Sequence, residues 1–77
     1  MIKVLLFSYL QEAAGAGQLE IDSEQLTVLQ LKEKLNKEYE LTNLQQVMVA
    51  INEEYATDEQ IIASGDTVAL IPPVSGG

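Results

Sequence analysis

The 77-residue sequence contains no cysteine and no histidine, and its only basic side chains are four lysines. The absence of cysteine excludes disulfide bonds, thiolate nucleophiles, thiolate zinc sites and iron–sulfur ligation by the chain. The absence of histidine removes the usual general base near neutral pH. A chain that lacks both residue types is a poor candidate for an enzyme that acts alone. We expect no bound metal and no bound cofactor.

Basic charge is scarce: twelve acidic residues against four lysines give a formal net charge of −8. Binding to nucleic acid or to an anionic membrane needs the opposite sign, so neither is an expected partner. Solubility explains most of this charge, and a partner with a basic face is the functional alternative. No apolar run approaches the roughly 20 residues that span a bilayer. The apolar start is interrupted by Ser8, Gln11 and Glu12, which favours a strand over a signal peptide and predicts a cytoplasmic protein.

The chain has room for one domain, which we place at residues 1–72, followed by a flexible tail at residues 73–77. The pattern predicts strands, one main helix and two short helical turns. The predicted strands are Ile2–Tyr9, Leu19–Asp22, Val47–Asn52 and Thr67–Ile71, and a short return strand begins at Tyr55-Ala56. The first predicted helical turn is Leu10–Ala14, before Gly15. The second is capped by Thr57 or Asp58 and runs through Ile61 and Ile62. This order predicts an α+β fold in which one helix lies across one face of a mixed sheet.

The main helix has clear local signals. Thr27 is a good N-cap, and Gln30 three residues later completes a capping box. Leu26 and Leu31 are spaced for a hydrophobic staple, and the apolar stripe predicts an end near Tyr39. An i,i+4 ion pair between Glu33 and Lys37 is also expected. Apart from this pair, we interpret the lysines as ordinary surface charges. The acidic pairs Glu53-Glu54 and Asp58-Glu59 are interpreted in the same way.

The end of the chain is its most informative feature. Pro72 and Pro73 stop the last strand, because proline cannot donate to a ladder. Gly76 and Gly77 have no Cβ atom, so this backbone can enter a channel too narrow for side chains. The dipeptide alone fits an inert chain end better than a functional one. In this context, however, it suits delivery of the terminal carboxylate into another protein's active site.

Three stretches together resemble the small subunit of molybdopterin synthase, within the ubiquitin-like sulfur carriers. They are Met1–Phe7, Gly65-Asp66-x-Val68 and the terminal Pro72-Pro73-Val74-Ser75-Gly76-Gly77. The resemblance covers essentially the whole chain, and the tail is its most specific part. It implies a ubiquitin-like β-grasp fold. The thiamine-pathway carrier of the same group typically lacks the long connection between Phe7 and Leu19 and the double proline.

The resemblance also implies a mechanism centred on Gly77. An adenylating enzyme consumes ATP to convert its carboxylate into an acyl-adenylate, and a sulfur donor protein then leaves a thiocarboxylate. The tail residues Pro72, Pro73, Val74, Ser75 and Gly76 enter the large catalytic subunit, where sulfur passes to cyclic pyranopterin monophosphate to build the molybdopterin dithiolene. On this view the chain is a non-catalytic subunit of a heterotetramer.

The family's docking surface maps onto Phe7, Tyr55, Ile71 and Val74. The first strand is apolar on both faces, so one face is expected to form the core and the other an interface. The alternative is that all four side chains are core residues. Relatives often carry arginine at position 11, where this chain has Gln11, so a salt bridge to the activating enzyme at that position is not expected.

Three other functions stay open. A protein modifier would use the same adenylated Gly77 to form isopeptide bonds, and activation alone does not separate it from a sulfur carrier. A plain interaction domain would have an inert tail, and deletion of Gly77 would leave its function intact. A thiamine-pathway carrier is the remaining alternative within the resembled group.

Overall fold

The structure, a computed structural model, describes residues 1–42 and 44–73. Its elements are β1 (Ile2–Leu6), α1 (Tyr9–Ala14), β2 (Gln18–Ile21), β3 (Gln25–Thr27), α2 (Val28–Tyr39), a 3₁₀ turn (Leu44–Gln46), β4 (Met48–Ile51), β5 (Glu54–Ala56), β6 (Ile61–Ala63) and β7 (Thr67–Ile71). Within the described residues, five strands form one sheet in the order β2-β1-β7-β4-β5, and β3 pairs with β6 separately. The central strands β1 and β7 are parallel, and the other neighbours are antiparallel.

Helix α2 covers one face of the five-stranded sheet. Its buried residues Val28, Leu31 and Leu35 belong to the same apolar cluster as the inward side chains of the strands. On the central strands these inward side chains are Ile2, Val4 and Leu6 of β1 and Val68 and Leu70 of β7, each at most 1% exposed. The result is the ubiquitin-like β-grasp that the sequence predicts, with a core built from alternate residues of each strand.

The predicted boundaries of α2 are confirmed. The Thr27 hydroxyl accepts a hydrogen bond from the Gln30 amide at 3.1 Å, and the Gln30 side chain accepts one from the Thr27 amide at 2.9 Å. This capping box satisfies two amides at the helix start. At the other end, Glu40 adopts a left-handed conformation with φ of 56°, and its amide donates to the Leu35 carbonyl. Among the described residues, no helix is long and apolar enough to cross a bilayer.

The ion pairs of α2 differ from the prediction. Instead of Glu33–Lys37, Lys34 contacts Glu38 at 2.8 Å, and this hydrogen-bonded carboxylate raises the pKa of Lys34. An exposed i,i+4 pair stabilises a helix by only a few tenths of a kcal/mol, so small differences in rotamer decide which pair forms. Lys32 is not an ordinary surface charge either, because its side chain is 11% exposed and contacts Asp58 at 3.0 Å.

The predicted helical turn at residues 57–62 is wrong. Residues 61–63 instead form β6, which pairs with β3 in antiparallel orientation. The sequence pattern predicted neither of these two strands. The carbonyls of Asp58 and Gln60 accept hydrogen bonds from the Leu29 and Val28 amides, each at 3.0 Å. Amides at a helix start lack partners within the helix. Because the Asp58 and Gln60 carbonyls accept hydrogen bonds from α2, they are not used for the hydrogen bonds of a separate helical turn.

The first strand is shorter than predicted, because β1 ends at Leu6. Ser8 has φ of 56°, and the Leu10 amide donates to the Phe7 carbonyl at 3.2 Å, so the chain turns at this point. Tyr9, expected on the outer face of the strand, is instead the first residue of α1. Helix α1 ends where predicted, at left-handed Gly15 with φ of 76°, a conformation that glycine adopts without strain.

A polar clip joins the start of β7 to the β4–β5 turn. The Asp66 carboxylate accepts hydrogen bonds from the Ala63 amide at 2.9 Å and from the Asn52 side chain at 3.1 Å. These two donors lower the pKa of Asp66 below its ordinary value of 3.8. The side-chain amide oxygen of Asn52 accepts a hydrogen bond from the Thr67 backbone amide at 3.0 Å. The clip therefore fixes both strands at one end of the sheet.

Candidate functional site: the open sheet face and the chain end

The face of the sheet opposite α2 carries apolar side chains without a covering element among the described residues. Side chains alternate between the faces of a strand, so the neighbours of buried residues on β1, β4, β5 and β7 point to this side. We call this surface the open face; its apolar residues are Leu5, Phe7, Met48, Ala50, Tyr55, Ala69 and Ile71. In the ladders, Ala50 lies opposite both Tyr55 and Ala69, and Met48 lies opposite Ile71.

Exposure separates the predicted docking residues from the core. Phe7 is 47% exposed and Tyr55 is 68% exposed, so the alternative that these side chains are core residues is wrong for both. Ile71 is half-buried on the same face. The structure therefore brings Phe7, Tyr55 and Ile71 onto one surface. Exposed apolar surface of this kind is typical of an interaction site.

Sequence reasoning missed Met48, which is 51% exposed beside Ile71. The available signal was the alternation of residues 47–51, in which Val47, Val49 and Ile51 are buried and leave Met48 on the other side. Alternation alone does not show that Met48 belongs to the open face. That assignment also requires β4 to lie beside β7, with its outer face on the same side as Phe7.

The chain end leaves from the middle of the sheet. β7 lies between β1 and β4, and its last residue Ile71 lies opposite Met48, at the same end of the open face as Phe7. Pro72 is buried and Pro73 is exposed. Burial of Pro72 places this residue with the folded body, at the end of the predicted domain. The four predicted tail residues beyond Pro73 lie outside the described part of the chain: Val74, Ser75, Gly76 and Gly77.

Position 11 lies on α1. The Gln11 side chain lies against Gly17, where a Cβ atom would collide with its amide group. Because Gly17 has no side chain, the neutral amide of Gln11 can fold back onto the 15–17 loop. Gln11 itself is exposed.

The acidic side chains of the described part of the chain lie at its surface, and all but Asp66 are exposed. Across residues 1–42 and 44–73, no group of three or more acidic, histidine or cysteine side chains is placed to hold a metal ion. No polar or charged residue is buried among them. Glu53, Glu54 and Glu59 are exposed turn or strand-end residues, as predicted, whereas Asp58 pairs with Lys32.

Comparisons with known proteins agree with this geometry. The ThiS family matches residues 4–77. The chain is 40% identical to a molybdopterin synthase sulfur carrier subunit of Arabidopsis thaliana, across 99% of this chain and 82% of the relative. Its structure is similar to a putative molybdopterin converting factor subunit 1 of Pyrococcus furiosus, with a TM-score of 0.80 and 27% identity over 95% of this chain and 97% of the other.

The small archaeal modifier protein SAMP1 of Haloferax volcanii has a similar structure too, with a TM-score of 0.74 and 29% identity over 99% of this chain and 98% of the other. The same β-grasp architecture therefore recurs in proteins described as carriers and as modifiers. Given the family match across almost the entire sequence, the chain belongs to the ThiS family and is similar to its molybdopterin synthase sulfur carrier subunits.

Proposed function

We propose that this chain is the sulfur carrier subunit of a molybdopterin synthase. The observation that supports this most is the 40% identity to a carrier subunit over nearly the whole chain, with Gly76-Gly77 at its end. The geometry fits this role, because the final strand ends at Ile71, beside the exposed apolar residues of the open face. We place the protein in the cytoplasm, as a subunit that is not an enzyme by itself.

The proposed chemistry takes place at the Gly77 carboxylate and uses partner enzymes. The carboxylate oxygen attacks the α-phosphate of ATP on an adenylating enzyme, pyrophosphate leaves, and an acyl-adenylate forms. Sulfur supplied by a donor protein at the oxidation level of sulfide then attacks the carbonyl carbon, AMP leaves with its oxygen, and a terminal thiocarboxylate remains. Two such termini supply the two sulfur atoms of the dithiolene formed from cyclic pyranopterin monophosphate. Cysteine is not needed on this chain, because the terminus itself holds the sulfur.

The folded body contributes position rather than chemistry. If Pro72 stays with the body, the five residues from Pro73 to Gly77 reach at most about 17 Å when extended. Such a reach suits insertion of the terminus into a neighbouring active site while the open face docks on the same partner. The absence of side chains at Gly76 and Gly77 allows a narrow entrance. We propose that the partner is the large synthase subunit, in a heterotetramer with two copies of each chain.

Mass spectrometry of the protein from its own cells tests this proposal. We expect a fraction of the full-length chain to gain the mass that accompanies replacement of one oxygen by sulfur. A variant lacking Gly77 should lose this species and the ability to support molybdopterin synthesis, with an unchanged thermal midpoint. A matched control is Glu59→Gln, an exposed substitution in the folded body, which should keep both the modified species and molybdopterin synthesis. Normal synthesis by the Gly77 deletion variant would refute the proposal.

A protein modifier is the second candidate, and the similarity to SAMP1 favours it. It would use the same acyl-adenylate but transfer the Gly77 carbonyl to a lysine amine. Branched peptides ending in Ser75-Gly76-Gly77 on lysines of other proteins would support this function. Recovery of a pterin-binding large subunit with the purified chain would instead support the synthase and count against a thiamine-pathway carrier.

A further inference from the structure

The open face has a notch toward the end of the sheet that carries Asn52 and Thr67. One row of side chains crosses four strands in the order Leu5, Ala69, Ala50 and Tyr55, as the ladder register shows. The two middle positions are alanines, and the two outer positions are large. The two alanines form the floor of a depression of about 370 Å³, which also has Leu5 among its lining residues.

One wall of this notch is polar and acidic. Its remaining lining residues are Asn52, Glu53 and Thr67. Both ends of the Asn52 amide are already used, since its oxygen accepts from the Thr67 amide and its nitrogen donates to Asp66. Glu53 is exposed and forms no ion pair with any residue in 1–42 or 44–73. Its carboxylate is therefore the charged group at the notch that is left for an external ligand.

The nearest basic residue on this side belongs to a different row. Lys3 lies on β1, opposite Glu20 of β2 and beside Thr67 of β7. A salt bridge between Lys3 and Glu53 is absent from the described residues. The notch thus combines an apolar floor with an acidic wall in a protein whose net charge is −8.

Resting on the proposed function, we propose that the notch receives one long cationic side chain, arginine or lysine, from the protein that docks on the open face. The aliphatic stem of such a side chain packs on Ala50 and Ala69, and its charged end meets Glu53. An apolar occupant would bury the Glu53 carboxylate without a partner, which is costly. An acidic occupant would be repelled. Glu53 is then a specificity-determining residue for the partner.

Calorimetric titration of the full-length chain with the purified large synthase subunit of the same organism tests this inference. We expect Glu53→Gln to weaken binding roughly 10-fold or more and to flatten its dependence on salt, because a charge pair at the interface is lost. Ala69→Leu fills the notch and should weaken binding similarly. A matched control should bind like the wild type: Glu59→Gln removes the same charge at an exposed position outside the notch.

The outcomes separate the two proposals. If the wild type binds and Tyr55→Ala does not, but Glu53→Gln and Ala69→Leu bind like the wild type, the cationic side chain is refuted and the carrier function stands. If the wild type itself fails to bind, the proposed partner is refuted and the inference falls with it. Glu53 is an exposed turn residue, so Glu53→Gln tests the inference even if Ala69→Leu fails to fold.

Discussion

Tyr55→Ala should separate binding from folding. The side chain is 68% exposed, so about two thirds of its surface is available for a partner to cover. A buried tyrosine contributes roughly 150–250 Å², which leaves roughly 100–170 Å² for the interface. At about 25 cal/mol per Å², truncation should remove up to about 2.5–4 kcal/mol of binding free energy. This corresponds to a roughly 50- to 1,000-fold loss of affinity for the large synthase subunit.

The same side chain contributes little to the free energy of unfolding. The covered third of its surface corresponds to about 1 kcal/mol once the retained Cβ atom is considered. Leu31→Ala gives the opposite result, because Leu31 is fully buried under the sheet and its truncation should cost about 2–5 kcal/mol of stability. Urea denaturation and calorimetric titration of both variants measure the two free energies separately.

A matched control uses the opposite side of the domain. Ile61 is 55% exposed on β6, outside the five-stranded sheet, and Ile61→Ala should leave the affinity unchanged. If Tyr55→Ala bound the large subunit within twofold of the wild type, the open face would not be the docking surface. Equal losses for Tyr55→Ala and Ile61→Ala would also contradict the assignment, because they would show no preference for one face.

Two further predictions concern the backbone and the polar clip. Glu40 ends α2 with φ of 56°, a conformation that favours glycine, so Glu40→Gly should raise the free energy of unfolding by about 0.5–1 kcal/mol; a lower thermal midpoint would contradict the left-handed cap. Asp66 has a lowered pKa in the folded protein, so its ionised form adds stability above its ordinary value of 3.8, and this contribution is lost as pH falls through the folded-state pKa. Asp66→Asn should therefore be less stable than the wild type at neutral pH and should approach it in urea melts below pH 3.8; a difference that does not change with pH would refute the role of the charge.

Local interactions explain why α2 and β7 were predicted well. The capping box joins residues three apart in the sequence, and the buried stripe repeats within the same helix. β7 is bounded by a turn before Thr67 and by prolines after Ile71. The α+β class follows from such signals, since their order leaves one helix to cover one sheet, whereas the β-grasp fold was implied by the family resemblance.

The β3–β6 sheet shows where local signals fail. Ile61 and Ile62 after Thr57 and Asp58 have the pattern of a capped helical turn, yet their partners are Leu26 and Thr27, more than 30 positions earlier. Likewise, Lys32 contacts Asp58, 26 positions away, and not a neighbour on its own helix. Pairing across such separations depends on how the rest of the chain has packed.

For the candidate site, the sequence alone predicted a role for the chain end, because glycine and proline act through their own covalent structure. Residues 74–77 lie outside the described part of the chain, so this role stays a prediction. The sequence also indicated that the first strand has two apolar faces. Only the tertiary structure decided which face α2 covers and which residues share the other, since strand order brings Phe7, Met48, Tyr55 and Ile71 together from four separate segments. The notch between Ala50 and Ala69 exists for the same reason: it requires β4 and β7 to be neighbours in register, which side-chain alternation within either strand does not specify.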